Sequence, residues 1–161
     1  MKRLNSRLIF VALLFTVSVL AALPASAQAK YSTVEVKHLT KTDTVSLSPE
    51  YLNYSYDDLR EALAKIGVFG KVVGDGDAIA EADAANAVVL KCNITDFKSG
   101  GLMPPYIIVD VTLSNRGDGT VIKQFTTAKL PLNNGGRVPP DDVKAKNTGR
   151  FLAQQIQHEL K

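Results

Sequence analysis

The sequence predicts an α+β domain, a two-layer sandwich in which two helices cover one face of a mixed sheet of about five strands. Two segments carry apolar residues at helical spacing, and the remaining regular segments alternate with the two-residue period of strands. Two amphipathic helices and one sheet bury their apolar faces most economically against each other. The predicted order is β-α-β-β-β-β-α, in one domain over residues 28–161.

The first half of the domain is predicted as strand, loop, helix. Residues 31–39 combine β-branched side chains with alternating charges, which is typical of a strand, and residues 41–53 are polar and predict a loop. Ser55 and Asp58 resemble a capping box that begins the first helix. Gly67 stands where a left-handed cap ends a helix. The apolar stripe of this helix falls at i, i+3, i+4 and i+7: Leu59, Ala62, Leu63 and Ile66.

The rest of the sheet follows this helix. A short strand is predicted over residues 68–73, and the alanine-rich, acidic segment 78–86 is either a short helix or an irregular bridge. A turn signal at 116–119 separates two alternating segments. We therefore expect an antiparallel meander of three strands, over residues 87–97, 106–115 and 120–130.

The chain closes with a second amphipathic helix after a loop at 131–140. Asp141 or Asp142 is expected to cap it. Gly149 within it costs about 1 kcal/mol relative to alanine, and a close contact with the sheet would explain its presence. Its apolar face is predicted to carry Thr148, Leu152, Ile156 and Leu160.

Residues 1–27 predict a secretory signal peptide. Lys2, Arg3 and Arg7 precede an apolar run over residues 8–20, and Ala25-Ser26-Ala27 is a small-residue cleavage site. The run is about 13 residues, whereas a membrane-spanning helix needs roughly 20. Cleavage after Ala27, or two residues later after Ala29, would deliver the domain to the periplasm or the medium of a bacterium.

Removing the signal changes the charge balance. The chain has 19 basic and 16 acidic residues, and the three basic residues of the signal leave 16 of each in a mature chain of 134 of the 161 residues. Such a neutral domain lacks the basic footprint of a nucleic-acid binder, so no nucleic-acid partner is predicted.

Cys92 is the single cysteine, so no intramolecular disulfide is possible. Its strand-like surroundings indicate a small buried apolar residue. No cysteine lies close after Ala27, so lipidation and a stable membrane anchor are not predicted.

Few residues suggest chemistry. The acidic loop at 74–77, with Glu81 and Asp83 nearby, invites a calcium interpretation, but Ile79 and Ala80 stand where an EF-hand needs an oxygen ligand and a glycine. A turn with a solvated acidic face is the favoured interpretation. No metal site and no cofactor are predicted.

His38 and His158 are the only histidines, and no nucleophile elbow, zinc-binding helix motif or phosphate loop is present. Catalysis would need a histidine to meet a nucleophile in the fold. No catalytic residue and no enzymatic activity are predicted.

Two apolar segments are candidate contact surfaces. The cluster of Tyr51, Tyr54 and Tyr56 is either an exposed aromatic patch or, as favoured, core packing by one or two of the rings. The proline-stiffened loop at 100–106 is the better candidate, because a stiff apolar loop loses little entropy on docking. The expected partner-contact residues are Leu102, Met103, Pro104, Pro105 and Tyr106.

Two segments carry a family resemblance. Residues 59–72 (Leu-x-x-Ala-Leu-x-x-Ile-Gly-x-Phe-x-x-Val) and residues 87–100 (Ala-x-Val-Leu-Lys-Cys-x-Ile-Thr-Asp-Phe-x-x-Gly) resemble a bacterial envelope family, domain of unknown function 4410. That family is related in shape to the periplasmic domain of the curli-secretion pore lipoprotein and to the N-terminal domain of TolB. The resemblance spans about residues 31–160 and implies no catalytic residues.

Three hypotheses follow for function. The first is a non-enzymatic periplasmic or secreted protein that binds another envelope component through the loop at 102–106 or a sheet edge. The second is a small-ligand or divalent-metal-binding module that uses the acidic loop. The third is a hydrolase that uses His38 or His158.

Overall fold

The computed structural model describes residues 30–100, 103–133 and 139–161. The predicted signal peptide and Leu102 lie outside these residues. Within them the chain is a mixed α+β fold, with seven strands in one sheet and three helices. The strands are β1 (Tyr31–Val36), β2 (Thr40–Lys41), β3 (Phe69–Val73), β4 (Ala87–Lys98), β5 (Tyr106–Asn115), β6 (Val121–Thr126) and β7 (Leu130–Pro131). The helices are α1 (Pro49–Ile66), α2 (Glu81–Ala84) and α3 (Asp141–Leu160).

The sheet is mixed, as predicted, with strand order β3-β1-β4-β5-β6. β1 runs parallel to both β3 and β4, and β2 continues its course beside β4. The predicted antiparallel meander of β4, β5 and β6 is confirmed. β2 and β7 were not predicted, because two residues are too few to show a period in the sequence.

The core lies on one face of the sheet. Burial alternates along β5, where Ile107, Val109 and Val111 are buried and the residues between them are half-exposed. The same buried cluster contains apolar residues of both long helices: Leu59, Leu63, Leu152 and Ile156. Of the tyrosine cluster, Tyr51 and Tyr56 are buried and Tyr54 is exposed, which confirms core packing by two of the three rings.

The first helix begins earlier than predicted. Ser48 is its N-cap, since the Ser48 Oγ accepts a hydrogen bond of 3.1 Å from the Tyr51 N–H, and Pro49 occupies the first helical position. The predicted start at Ser55 is therefore wrong; Ser55 lies inside the helix and is buried. The end is confirmed, because Gly67 adopts a left-handed φ of 70°.

The last helix has no side-chain cap. Pro140 is its N-cap residue, so the predicted capping by Asp141 or Asp142 is wrong. Both acids lie in the first turn instead, and Asp141 accepts a hydrogen bond of 2.9 Å from the Lys144 ammonium. They still favour the positive end of the helix dipole.

Gly149 faces the other long helix rather than the sheet. A Cβ at this position would lie 2.6 Å from the Leu59 backbone nitrogen and 2.7 Å from the Asp58 Cβ. The expectation of a contact with the sheet is thus corrected: the glycine allows α3 to approach the backbone of α1.

Candidate functional site

The candidate contact loop presents two of its residues to solvent. Met103 is 50% exposed, and Pro104 is also exposed. Pro105 is buried, and its carbonyl accepts a hydrogen bond of 3.1 Å from the Leu132 N–H. Of the predicted contact residues that the structure describes, Met103 and Pro104 are the accessible ones, and Pro105 anchors the loop.

Tyr106 follows Pro105 and holds the same, C-terminal end of this loop. Its hydroxyl donates a hydrogen bond of 3.0 Å to the Asp96 carboxylate, and the Lys129 ammonium lies 4.5 Å from the ring centroid, a cation–π distance. The negative charge of Asp96 raises the pKa of Tyr106 through this hydrogen bond. These contacts fix a half-buried ring beside the exposed Met103 and Pro104.

A polar groove of about 520 Å³ lies close to the loop, where the N-termini of α1 and α3 meet the end of β4. Tyr51 and Phe97 line its floor with rings that meet edge to face at 5.7 Å. Lys98 and Asp141 contribute opposite charges. The remaining walls carry one apolar side chain and several small residues: Leu47, Thr44, Ser46, Ser48, Ser99 and Gly100.

The strongest charge cluster surrounds Glu35 on the opposite face of the sheet from the core. Glu35 is only 4% exposed. Its carboxylate accepts hydrogen bonds from the Lys37 ammonium at 2.6 Å, the Arg116 Nε at 3.0 Å and the Gly76 N–H at 3.2 Å. Burial alone would raise the pKa of Glu35, but these hydrogen bonds outweigh it and hold the pKa below its ordinary value.

Lys37 links Glu35 to the turn after β3. Its ammonium also donates a hydrogen bond of 2.8 Å to Asp75, which lowers the pKa of Asp75 and raises that of Lys37. The Asp75 N–H donates to the Tyr56 hydroxyl at 2.7 Å, and the Tyr56 ring stacks on His38 with centroids 4.2 Å apart. The cluster therefore ties β1, the turn and α1 together.

The acidic loop forms a turn whose carboxylates are paired with protein groups. Asp77 accepts a hydrogen bond of 2.6 Å from the Gly74 N–H and lies 3.6 Å from the Arg60 guanidinium. Asp75 is bonded to Lys37, as described above. Among residues 30–100, 103–133 and 139–161, no group of three or more His, Cys, Asp and Glu side chains gathers in a metal-binding arrangement.

The two histidines are exposed and contact different residues. His38 stacks on Tyr56, whereas His158 lies in the last turn of α3, 3.7 Å from Glu159. In the described part of the chain, neither imidazole hydrogen-bonds to a serine, threonine or cysteine side chain. The hydrolase hypothesis needs such a pair, and these contacts do not supply it.

Cys92 is buried, as predicted, in the middle of β4. Burial raises the pKa of its thiol to about 12. Because the thiolate is the reactive form, this cysteine is inert in the folded protein at neutral pH.

A second exposed apolar feature lies at the outer edge of the sheet, on β6. Val121 is 54% exposed and Ile122 is 38% exposed. The sequence predicted a sheet edge as a possible contact surface without locating it. The exposed pair follows the turn at 116–119, and a register shift between Val121 and Lys123 interrupts the pairing with β5. No sequence pattern distinguishes this edge from a paired strand.

No protein-family model and no curated protein match the chain. Solved structures do match its fold. A PelC variant from Paraburkholderia phytofirmans, described as a dodecamer, is 20% identical with a TM-score of 0.54, over 84% of this chain and 93% of that chain.

Two further structures have a similar fold. Protein XCC0632 from Xanthomonas campestris, described with the family model DUF330, is 15% identical with a TM-score of 0.50, over 84% of this chain and 92% of that one. The hypothetical protein CT253 from Chlamydia trachomatis is 11% identical with a TM-score of 0.50, over 81% and 98%. These likenesses establish the fold alone. The resemblance to domain of unknown function 4410 stays a prediction from the sequence.

Proposed function

We propose that this chain is an exported, non-enzymatic protein that binds another cell-envelope component through the loop around Met103. The observation that carries the proposal is the construction of that loop. Met103 and Pro104 are exposed, and the two residues that follow them, Pro105 and Tyr106, anchor the chain through Leu132 and Asp96. A loop held in this way loses little conformational entropy when a partner covers it.

The charged groups support a binding role over a catalytic one. Glu35, Lys37, Asp75 and Arg116 are engaged with each other in ion pairs of 2.6 to 3.0 Å. A catalytic acid or base needs a proton-transfer partner in a substrate and a pKa near the working pH. Hydrogen bonds instead hold the pKa of Glu35 and of Asp75 below their ordinary values. The fold shared with PelC, described as a dodecamer, is consistent with a protein that works in an assembly.

The proposed location rests on the signal sequence at residues 1–27. None of the helices in the described ranges has the length and apolar character needed to cross a membrane. N-terminal sequencing of the protein from a bacterial periplasmic fraction or medium tests the location. A start at Gln28 or Lys30 supports export, and an intact Met1 in the cytoplasm contradicts it.

Site-specific photo-crosslinking in the producing bacterium tests the contact surface. A photoreactive residue is placed at Met103 in one variant and at Tyr54 in the control, because the two side chains are similarly exposed, at 50% and 55%. We expect one discrete adduct from position 103 that position 54 does not give. Equal adducts from both positions, or none from position 103, would contradict the proposed contact.

A Met103→Asp substitution provides the second measurement. A charge at an apolar contact must be desolvated when the partner binds, so the adduct yield from a reporter at Pro104 should fall severalfold. Tyr54→Asp is the matched control and should leave the yield unchanged. Unaltered thermal unfolding of both variants shows that the loss arises at the surface.

A further inference from the structure

β6 is an open edge of the sheet. The strand order β3-β1-β4-β5-β6 gives it a partner on one side only, within the residues that the structure describes. Open edges carry unpaired backbone N–H and C=O groups that can template pairing with another strand.

The hydrogen-bond pattern identifies which residues carry those groups. The Thr127 N–H donates to the Val109 carbonyl at 2.9 Å, and the Val109 N–H donates to the Thr127 Oγ at 3.0 Å. The single backbone bond shows that the Thr127 N–H turns toward β5. Because bonded and non-bonded pairs alternate in an antiparallel ladder, Phe125 also turns its backbone toward β5. Gln124 and Thr126 turn their N–H and C=O groups outward.

We propose that β6 pairs in antiparallel fashion with β6 of a second copy of this chain, about a two-fold axis at Phe125. This pairing places Gln124 opposite Thr126 of the second copy, and the reverse. Each of these two pairs then exchanges two backbone hydrogen bonds, which satisfies the outward groups of both strands. Phe125 meets its own counterpart in the non-bonded position between them.

Charge and backbone geometry select this axis over its neighbours. An axis at Lys123 would put two like charges directly opposite each other, which is destabilising. An axis at Gln124 would use the backbone of Ile122, which lies at the register shift between the pairs Leu113–Lys123 and Ser114–Val121. The axis at Phe125 uses the regular part of β6 and puts Lys123 opposite Thr127.

Self-complementarity favours a second copy as the occupant. Phe125 is half-buried and lies against the core, so an identical ring beside it adds an aromatic cross-strand pair and further burial. Extending the register brings the exposed Val121 and Ile122 toward residues 128 and 129 of the second copy. A surface that meets itself in this way suits the isologous contact of a two-fold dimer.

The other edge of the sheet is less suited to this pairing. β3 carries Gly70 and Lys71 at exposed positions, and a lysine on an edge strand protects against pairing. Lys123 of β6 does not have this role, because it turns to the core side and lies 3.4 Å from Glu159 of α3. Pairing through β6 involves other residues than the Met103 loop and is independent of the proposed function.

Disulfide trapping tests the register in the mature protein. In the proposed pairing the two Phe125 Cα atoms lie about 4.5 Å apart, within the range that a disulfide bridges, whereas two Gln124 Cα atoms lie beyond about 7 Å. Phe125→Cys should therefore form covalent dimers at least about tenfold faster than the exposed control Tyr54→Cys, since pairing raises the effective thiol concentration. Gln124→Cys should match the control. Cys92 is buried and contributes no background.

Proline substitution tests the pairing without altering the core. The Gln124 N–H points outward, so Gln124→Pro removes no hydrogen bond to β5 but blocks the ladder between copies. We expect the mass in solution to fall from that of a dimer to that of a monomer. Gln124→Ala, which keeps the N–H, should remain dimeric.

Several results would overturn the inference. They are a parent protein that is monomeric at every concentration, a higher oligomer that Gln124→Pro leaves intact, and Phe125→Cys crosslinking no faster than Tyr54→Cys. Circular dichroism and melting of each variant confirm that it is folded. Failure of the Met103 crosslinking experiment would leave these outcomes unchanged, so the two proposals fail separately.

Discussion

Gly149→Ala is predicted to destabilise the protein, although the same change in most helices is stabilising. In an exposed helix, alanine gains about 1 kcal/mol over glycine because it loses less backbone entropy on folding. At Gly149 the added methyl group would point at the backbone of α1, with Leu59 N at 2.6 Å and Asp58 C at 2.8 Å. The sign of the effect therefore depends on whether the two helices can move apart.

The structure indicates a net loss. To reach an ordinary contact of 3.4 Å, the backbone of α1 would have to move away by about 0.8 Å at this point. That movement would loosen the packing of Leu59 and Leu152, which are fully buried in the shared core. Overpacking of this kind costs about 1–3 kcal/mol, which exceeds the propensity gain at most of that range. Subtracting the gain of about 1 kcal/mol from this cost leaves a net destabilisation of up to about 2 kcal/mol.

Urea unfolding of the mature protein, followed by far-ultraviolet circular dichroism, measures this change. Gly117→Ala is the matched control, because it adds the same methyl group to the turn before β6, where nothing lies within 4 Å. The free energy of unfolding should fall for Gly149→Ala and change by less than about 0.5 kcal/mol for Gly117→Ala. A Gly149→Ala protein as stable as the parent, or more stable, would refute the argument that this glycine sets the distance between the helices.

Two further predictions concern Glu35 and the start of α1. Glu35→Gln should lower the free energy of unfolding at pH 7 by about 1–3 kcal/mol, because the charged donors around it lose a carboxylate. Since the pKa of Glu35 lies below its ordinary 4.5 in the folded protein, its stabilisation is present above that pH and is lost as the pH falls through the folded value. The difference between parent and variant, followed by urea unfolding from pH 7 to pH 3, should therefore shrink in acid; a constant difference would contradict the assignment. Ser48→Ala should lower the free energy of unfolding by about 1 kcal/mol, because it removes the N-cap of α1. Ser55→Ala should be neutral or stabilising, because the Ser55 Oγ is buried without a hydrogen-bond partner among the described residues. Thermal unfolding measures both variants, and a larger loss of stability for Ser55→Ala than for Ser48→Ala would restore Ser55 as the cap.

The alternating strands and the C-terminal end of α1 were predictable from the sequence, whereas the two-residue strands and the N-caps of both long helices were not. The alternation of β5 gave its bounds, Tyr106–Asn115, because one face of that strand is buried and the other is not. The start of α1 was missed because the residues from Pro49 to Tyr54 look polar and irregular when they are read alone. Tyr51 is buried by its contact with α3, where its hydroxyl lies 2.8 Å from the Thr148 Oγ, and a contact across 97 residues leaves no local signal.

The Glu35 cluster shows the same limit for a site. Its members come from β1, the turn after β3 and the turn before β6, so Arg116 is 81 residues from the carboxylate that it binds. One signal was available: Glu35 stands between Val34 and Val36 in a strand that is buried on both sides. A carboxylate at such a position needs cationic partners, because an unpaired buried charge is strongly unfavourable. The sequence could therefore have predicted a cationic partner for Glu35, but it could not have identified that partner as Arg116 or Lys37.

The two proposed contact surfaces lie at the start and in the middle of β5 and do not compete. The Met103 loop leads into Tyr106, whereas Phe125 of β6 pairs with Val111, five residues further along. At about 3.4 Å per residue, the loop and the two-fold axis are separated by about 17 Å along the strand. A two-fold axis at Phe125 would then place the Met103 loops of the two copies on opposite sides of it, both accessible. Such a dimer would present two identical apolar loops to the envelope, and two weak contacts made together bind far more tightly than either alone.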